Sequence, residues 1–334
     1  MKLVATMLVG NEADLIAPAI ETALAQGVDA FVIVETASRD ATADVLRRYC
    51  DDARFDITFL PHDTVYGPTP PHPYTIWQGM IERAKARFAA DWVLRIDADE
   101  FLMVPGGDLK AVCAGALHHE VHLRRLNALV PCDGSDLSEV VGDPRRLAAL
   151  PVMARPFPNA LVRSGDVADI PLILTHVAQR PMTRAEPIVG YDPGGHLGLD
   201  ADGRSFDHAV TDKAWIIHLW FTTEERFLGK AQFLHDITAS VRSRTPGGWQ
   251  WSRWASQAAT DTSEISAEFR RQVLDETTLA TLQAQGRVTR ADAVDPLAFL
   301  QDTDRAADDL RSLGYGQPRI ATVHKGPPVT VPRR

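Results

Sequence analysis

Apolar and polar positions alternate in blocks along the first hundred residues of the chain. Four short apolar runs closed by polar residues have the length of buried strands, and they lie at residues 3–9, 31–34, 57–60 and 92–96. Between these runs, apolar residues recur at helical spacing, and these segments lie at residues 14–26, 41–49 and 74–90. Strands that alternate with helices predict an α/β domain whose parallel sheet has right-handed crossovers.

Polar side chains stand directly after three of these strands. They are Asn11 and Glu12, then Glu35 and Ser38, then Asp97, Asp99 and Glu100. Ligands of open α/β sheets bind outside the carboxyl ends of the strands, so we expect the three groups to converge. Crowded carboxylates need a positive partner, and oxygen ligands favour Mg²⁺ or Mn²⁺. In a strand Asp97 and Asp99 point to the same side. The alternative for an Asp-x-Asp pair is a solvated turn or a helix cap.

Composition narrows the function classes. The chain has 334 residues, 45% of them hydrophobic, and a net charge of −9, which is typical of a soluble globular protein and argues against coating of nucleic acid. Three cysteines without a Cys-x-x-Cys pair, namely Cys50, Cys113 and Cys132, predict a reducing compartment and no structural zinc site. The short apolar start lacks a cleavage signature, and no run is long enough to span a bilayer, so a cytoplasmic location is expected.

The second half of the chain is less regular. Residues 127–212 are rich in Pro, Gly and Asp, which is typical of functional loops over a rigid scaffold. His118, Glu120 and His122 alternate as on a strand, but the spacing is not His-Glu-x-x-His, and a polar strand face is the preferred interpretation. Residues 215–220 predict a buried strand around His218. Thr222 then has the capping-box spacing of a helix that reaches about residue 241.

The C-terminal part predicts a helical appendage. Residues 263–313 are mostly helical by composition, and residues 324–334 have the proline-rich composition of a frayed tail. Trp249, Trp251 and Trp254 can stack on a sugar ring or pack the appendage against the main domain. No Gly-x-Gly-x-x-Gly and no Walker-type phosphate loop occurs, so the common dinucleotide and P-loop classes lose their main support.

Five segments together resemble the glycosyltransferase family 2-like group of bacterial enzymes with the GT-A fold. The opening 9–12, the turn 35–42 and the Asp-x-Asp (DXD) strand 92–102 correspond to that group's first three motifs. Gly194-Gly195-His196 resembles a downstream Gly-Asn-His motif. Residues 217–230 resemble its last segment, in which a His is followed by a Glu-x-Phe helix and a lysine. The matches cover about the first 240 residues.

The resemblance implies a role for each matched residue. The residues that line the nucleotide pocket would be Val9, Asn11, Glu12, Glu35, Ser38, Gln78 and Asp97. Asp97, Asp99 and His218 would hold Mn²⁺ or Mg²⁺, and Asp192 or His196 would be the catalytic base, with Asp166 and Asp169 also open. Three departures matter: Glu35 stands where the family has Asp, which leaves the base preference open, Gly10 replaces a lysine, and Leu219 stands where an aromatic residue is common.

The sequence therefore predicts a GT-A type, Rossmann-like, mixed and mostly parallel sheet flanked by helices, with a helical C-terminal extension. The expected domains are 1–240, divided into a nucleotide-and-metal half 1–105 and an acceptor half 106–240, and an extension 241–334. The expected activity is metal-dependent, inverting transfer of a hexose from a nucleotide-diphosphate sugar to a carbohydrate or small-molecule acceptor, without nucleic acid. The alternatives are a metal-dependent nucleotidyltransferase or phosphohydrolase, and a carbohydrate-binding protein without catalysis.

Overall fold

A computed structural model describes residues 1–67, 71–130, 136–158, 170–240, 254, 257–258, 262–295 and 303–313. Its centre is a sheet of eight strands in the order β3-β2-β1-β4-β8-β6-β11-β5. These strands are β1 Leu3–Val9, β2 Ala30–Glu35, β3 Phe55–Phe59, β4 Trp92–Arg95, β5 Glu100–Met103, β6 Glu120–Asn127, β8 Arg180–Arg184 and β11 His208–His218. Two short strand pairs stand apart from the sheet: β7 Pro151–Met153 with β12 Val288–Arg290, and β9 Gly190–Tyr191 with β10 Gly198–Leu199.

The sheet is mixed. The first four strands pair in parallel, as the strand–helix alternation predicts, and β6 also pairs in parallel with β11. Strand β8 runs antiparallel between β4 and β6, and β5 runs antiparallel at the far edge beside β11. This topology confirms the predicted α/β fold with a mixed and mostly parallel sheet flanked by helices.

Ten helices are described. They are α1 Ile16–Ala25, α2 Thr42–Arg47, α3 His62–Tyr66, α4 Pro73–Phe88, α5 Leu109–Ala114, α6 Pro144–Ala149, α7 Glu224–Ser240, α8 Thr262–Gln272, α9 Glu276–Ala284 and α10 Thr303–Ser312. Helix α7 begins one residue later than the capping box predicts. Its cap is Thr223, whose Oγ1 accepts a hydrogen bond from the Arg226 N–H at 3.2 Å.

Each face of the sheet buries a different set of helices. On one face Ile16 and Ile20 of α1 and Leu109 of α5 pack against Leu3, Met7 and Leu94 of the central strands. On the other face Trp77 and Met80 of α4 pack against Val4 and Val32. Because successive strand residues point to opposite faces, the continuous apolar runs of β1 and β2 supply both cores at once. The carboxyl ends of the parallel strands are left as the open edge.

The C-terminal helices share a core with the irregular middle of the chain. Phe269 of α8, Leu282 of α9 and Leu310 of α10 belong to one apolar cluster with Phe157 and Phe221. The helical composition predicted for residues 263–313 is confirmed for the described part, while a domain boundary at residue 240 stays a prediction. Among the described helices, none is long and apolar enough to cross a membrane.

Candidate active site

The carboxyl ends of β1 and β2 meet through Asn11 and Ser38. The Asn11 N–H donates to Ser38 Oγ at 2.9 Å, and Asn11 Oδ1 accepts from the Arg39 N–H at 2.8 Å. Asn11 has φ 58, a left-handed conformation that Asn tolerates better than most residues. Two residues predicted to line a nucleotide pocket are thus in direct contact at the sheet edge.

The Glu35 carboxylate and the Val9 carbonyl accept hydrogen bonds from the turn that follows β2. The buried Glu35 carboxylate accepts the N–H groups of Ala37 at 3.2 Å and Ser38 at 2.6 Å, which closes its own turn. The Val9 carbonyl accepts from the backbone N–H of Thr36 at 2.9 Å and from its hydroxyl at 3.0 Å. A side chain at Gly10 would displace the Thr36 hydroxyl from its hydrogen bond with the Val9 carbonyl.

The acidic segment is a turn between two strands. Strand β4 ends at Arg95, and β5 starts at Glu100. The turn is closed by a hydrogen bond from the Glu100 N–H to the Asp97 carbonyl at 3.2 Å and by one from the Asp97 N–H to Glu100 Oε2 at 3.0 Å. The prediction that Asp97 and Asp99 share one face of a strand is therefore wrong, because the chain reverses between them to pair β5 with β11.

Two arginines hold the outer carboxylates of this turn. Glu100 is fully buried, and it accepts from Arg180 Nε at 2.8 Å and from Arg125 Nη1 at 2.7 Å. Asp97 pairs with Arg180 and lies 3.3 Å from Arg95 Nη2. Burial raises the pKa of Asp97, against the effect of the Arg95 charge. Glu100 thus ties β5 to β6 and β8, and Asp97 faces the arginines.

Asp99 faces a histidine instead. His218, at the end of β11, has its Nε2 3.9 Å from Asp99 Oδ1. Its Nδ1 lies 2.9 Å from the amide oxygen of Asn127, so Nδ1 carries the proton and Nε2 has a free lone pair. Burial lowers the pKa of His218 to about 3, which keeps the ring neutral. The potential ligand atoms of Asp99, Glu100 and His218 lie within 4.8 Å of one another.

Helix α7 brings two cations to the same edge. Lys230 Nζ lies 2.9 Å from Asp99 Oδ2 and 3.5 Å from Glu12 Oε1, and Arg226 pairs with Glu12. Burial alone would raise the pKa of Asp99, but the Lys230 ammonium lowers it below the ordinary value. The sequence pattern assigns no role to either cation, although Arg226 and Lys230 are four positions apart and share one helix face.

The segment with the candidate bases is a hairpin between β9 and β10. Both oxygens of Asp192 accept backbone N–H groups of this hairpin, including that of Leu197 at 2.8 Å. His196 Nδ1 lies 3.2 Å from the Gln179 carbonyl. Burial lowers the pKa of His196 to about 3, with help from the charges of Arg125 and Arg95. The hairpin is close to the acidic turn, because a Cβ at Gly195 would lie 2.5 Å from Arg95 Nε.

The remaining predicted residues contact neither the acidic turn nor the cations of α7 in any hydrogen bond described for them. Gln78 Nε2 donates to the Tyr74 hydroxyl at 3.1 Å, and Tyr74 packs against Gly190 at the base of the hairpin. Trp254 is buried in the C-terminal core and packs against Phe227. Four earlier candidates lie outside the described residues: Asp166, Asp169, Trp249 and Trp251.

No protein-family model and no curated protein matches the chain. Solved structures are similar to it at low identity. One of them, S. aureus TarS 1-349, has a TM-score of 0.37 and 14% identity over 93% of this chain and 92% of that chain. Glucosyl-3-phosphoglycerate synthase from Mycobacterium tuberculosis, in complex with Mn²⁺, UDP and phosphoglyceric acid, has a TM-score of 0.32 and 17% identity over 74% of this chain and 80% of that chain.

A third similar structure is HddC from Yersinia pseudotuberculosis, with a TM-score of 0.33 and 13% identity over 65% of this chain and 93% of that chain. At these identities and TM-scores the likeness assigns no activity, ligand or substrate to this chain.

Proposed function

We propose that the chain transfers a sugar from a nucleotide-diphosphate sugar to an acceptor hydroxyl, with inversion at the anomeric carbon and with a bound Mn²⁺ or Mg²⁺. The observation that carries this proposal is the meeting of Asp99 and His218, whose facing atoms are 3.9 Å apart. A carboxylate and a neutral imidazole nitrogen at the carboxyl ends of a mostly parallel sheet suit a divalent cation that also binds phosphate.

The residues present fit such a cation. Lys230 occupies Oδ2 of Asp99 but leaves Oδ1 facing His218, and the Asn127 amide fixes the His218 ring so that Nε2 faces the carboxylate. This outer hydrogen bond is the usual support of a histidine ligand. Asp99 and His218 would hold the ion. Glu100 is already satisfied by two arginines, and Asp97 stays a proposed contact of the nucleotide or the metal.

The nucleotide would lie along the ends of β1 and β2. Asn11, Ser38 and Glu35 form one hydrogen-bonded edge there, and Glu35 retains lone pairs that can accept a ribose hydroxyl. Arg226 and Lys230 now neutralise Glu12 and Asp99. When a diphosphate enters, the same two side chains can turn to its oxygens, and so supply a phosphate clamp from a distant helix.

Departure of the nucleoside diphosphate builds negative charge on the leaving oxygen. A bound divalent cation stabilises that charge as a Lewis acid. Lys230, which lies beside Asp99, adds a second positive charge on the same side. The sugar carbon gains oxocarbenium character, as in glycoside hydrolysis. A side chain on the opposite face of the sugar must therefore take the proton from the hydroxyl group of the acceptor molecule.

His196 is our preferred proton acceptor, and Asp192 is the residue that positions it. The hydrogen bond of Nδ1 to the Gln179 carbonyl leaves Nε2 of His196 unprotonated. The Asp192 carboxylate is bound to backbone N–H groups of the hairpin, including those of Gly194 and Leu197, which fixes the loop. Asp192→Asn should therefore loosen the hairpin, whereas His196→Asn removes the base and keeps a donor to Gln179.

A release assay tests the proposal directly. Purified protein is incubated with UDP- and GDP-sugars and Mn²⁺, and the nucleoside diphosphate set free is measured with and without candidate acceptors. We expect release that stops with chelator and with Asp99→Asn, while Asp63→Asn, which alters a fully exposed carboxylate, has no effect. Absence of release from every donor, with folded protein, would contradict the proposal.

One observation favours a second candidate, a metal-dependent nucleotidyltransferase or phosphohydrolase. That class needs basic side chains near the first strand, and Arg226 and Lys230 supply them at Glu12. The same assay separates the two classes. Consumption of nucleoside triphosphates or of simple phosphate esters, with nucleotide sugars left intact, would replace glycosyl transfer by this second activity.

A further inference from the structure

A second histidine-rich cluster lies at the other end of β6. The ligand atoms of Glu120, His122 and His208 all lie within 4.8 Å of one another. Glu120 and His208 are register partners in the parallel pairing of β6 with β11, and His122 follows on the same face of β6. The rings of His122 and His208 stack with centroids 4.0 Å apart. None of these residues takes part in the proposed sugar transfer.

Glu120 and His122 lie in the buried part of this strand face. The alternating segment was expected to form a solvated or partly buried polar face, and within it Glu120 is 0% exposed and His122 is 4% exposed. Among the described residues no lysine or arginine pairs with Glu120, and the side chain beside its Oε1 is His122, whose Nε2 lies 2.6 Å away. A carboxylate this deeply buried needs a cation beside it.

Both Glu120 and His122 are oriented by hydrogen-bond partners that lie around them. Its Oε2 accepts from the Thr183 hydroxyl at 2.7 Å and from the Gly198 N–H at 2.8 Å, which leaves Oε1 facing His122. Gly198 is needed there, because a Cβ would lie 2.5 Å from Oε2. His122 Nδ1 lies 3.2 Å from Gln179 Oε1, so both inner ligands have the outer partners that orient metal ligands.

From this geometry we propose that Glu120, His122 and His208 bind a transition-metal ion of the Zn²⁺ class. Two imidazoles and one carboxylate are a common ligand set for zinc, and the exposed side of His208 leaves a fourth position for water. Zinc ligands at about 2.1 Å from the ion lie roughly 3.4 Å from one another. Binding would therefore move His122 Nε2 and Glu120 Oε1 apart from their present 2.6 Å, and would turn the exposed His208 ring out of its stack on His122. The cysteine pattern argues against thiolate zinc sites and does not bear on this one.

The ion would fasten the start of β11 to the hairpin that carries His196. Glu120 holds the Gly198 N–H at one end of that hairpin, and Gln179 contacts both His122 and His196. Its role would therefore be structural and separate from the cation expected at Asp99. This separation allows the two sites to be tested independently.

Cobalt and zinc titrations test the site. Metal-free protein in excess Mg²⁺, which prefers oxygen ligands, is titrated with Co²⁺ while its visible d–d bands are recorded, and Zn²⁺ is then added in competition. We expect one tightly bound equivalent with the bands of a tetrahedral site. His208→Ala, at an exposed position, should abolish the bands, and Thr183→Val should weaken binding roughly 10- to 100-fold through the outer layer.

His119→Ala is the matched control, because His119 is an exposed neighbour of Glu120 outside the cluster. Its titration should be unchanged. Equal binding by wild type and His208→Ala, or no binding while the protein is folded, would overturn the proposal and leave Glu120 and His122 as a hydrogen-bonded pair. Neither result depends on turnover, so failure here is distinguishable from failure of the proposed glycosyl transfer.

Discussion

Lys230 Nζ lies 2.9 Å from Oδ2 of Asp99, although 131 positions separate the two residues in the chain. The ammonium group provides the positive charge that a buried carboxylate requires, and it keeps Asp99 ionised. The candidate metal site thus contains its own counter-charge. Lys230 would compete with a cation for Asp99 and would also attract the phosphates of a donor.

Replacing Lys230 should separate these two effects. We expect Lys230→Met to raise the Mn²⁺ affinity of the nucleotide-free protein roughly tenfold, because the ammonium group beside Asp99 no longer repels the ion. Affinity for UDP or GDP in saturating Mn²⁺ should fall, since one phosphate partner is lost. Calorimetry measures both. The control is Lys213→Met, which changes an exposed lysine. Unchanged affinities for both metal and nucleotide would contradict the assigned role.

Gly195 should be required for the approach of the hairpin to Arg95. It has φ +67, and a Cβ there would lie 2.5 Å from Arg95 Nε, so Gly195→Ala should displace Arg95 from Asp97. Gly203→Ala is a matched control with φ +75 and open space around its Cβ. Both variants should lose about 1–2 kcal/mol of unfolding free energy for the left-handed backbone. Only Gly195→Ala should lose activity as well, and equal kcat/KM in the two variants would disprove this role.

The buried His196 should make stability depend on pH. Its folded-state pKa is about 3, below the ordinary histidine value of 6.5, so the unfolded chain binds more protons between these values. The free energy of unfolding should therefore fall as the pH drops through this range, with at most about 2 kcal/mol lost by about pH 5. His196→Asn, which keeps a donor to Gln179, should remove that part of the slope.

Denaturant titrations at several pH values provide the measurement. His62→Asn serves as the control, because its ring is 69% exposed and should leave the slope unchanged. A slope that is the same in wild type and His196→Asn would show that His196 is already solvated in the folded protein.

The sequence predicts the strand–helix order of the first half well, because each parallel strand is a continuous apolar run closed by polar residues. The ends of β1 and β2 were expected to approach each other, and Asn11 and Ser38 are hydrogen-bonded. These are local or nearest-neighbour features. The alternation of apolar strand runs with amphipathic helices along the chain determines which residues are buried. Right-handed crossovers then determine which strands are neighbours in the sheet.

The sequence pattern does not predict which strands pair when they are far apart in the chain. The chain reverses after Asp97 because β5 pairs with β11, which lies more than a hundred residues later, and this pairing separates Asp97 from Asp99. Arg226 and Lys230 reach Glu12 and Asp99 only through the packing of α7. His208 joins the cluster of Glu120 through the pairing of β6 with β11, and no spacing of residues in the sequence indicates it.

The most direct test of the account is calorimetry of the wild-type protein and Asp99→Asn with UDP and GDP, each with and without Mn²⁺. We expect wild type to bind at least one of the two nucleotides, and only when Mn²⁺ is present, and the preferred nucleotide would identify the donor base. Asp99→Asn should lose this binding. Binding without metal, or full metal-dependent binding by Asp99→Asn, would contradict the assignment of Asp99 and His218 as the cation site.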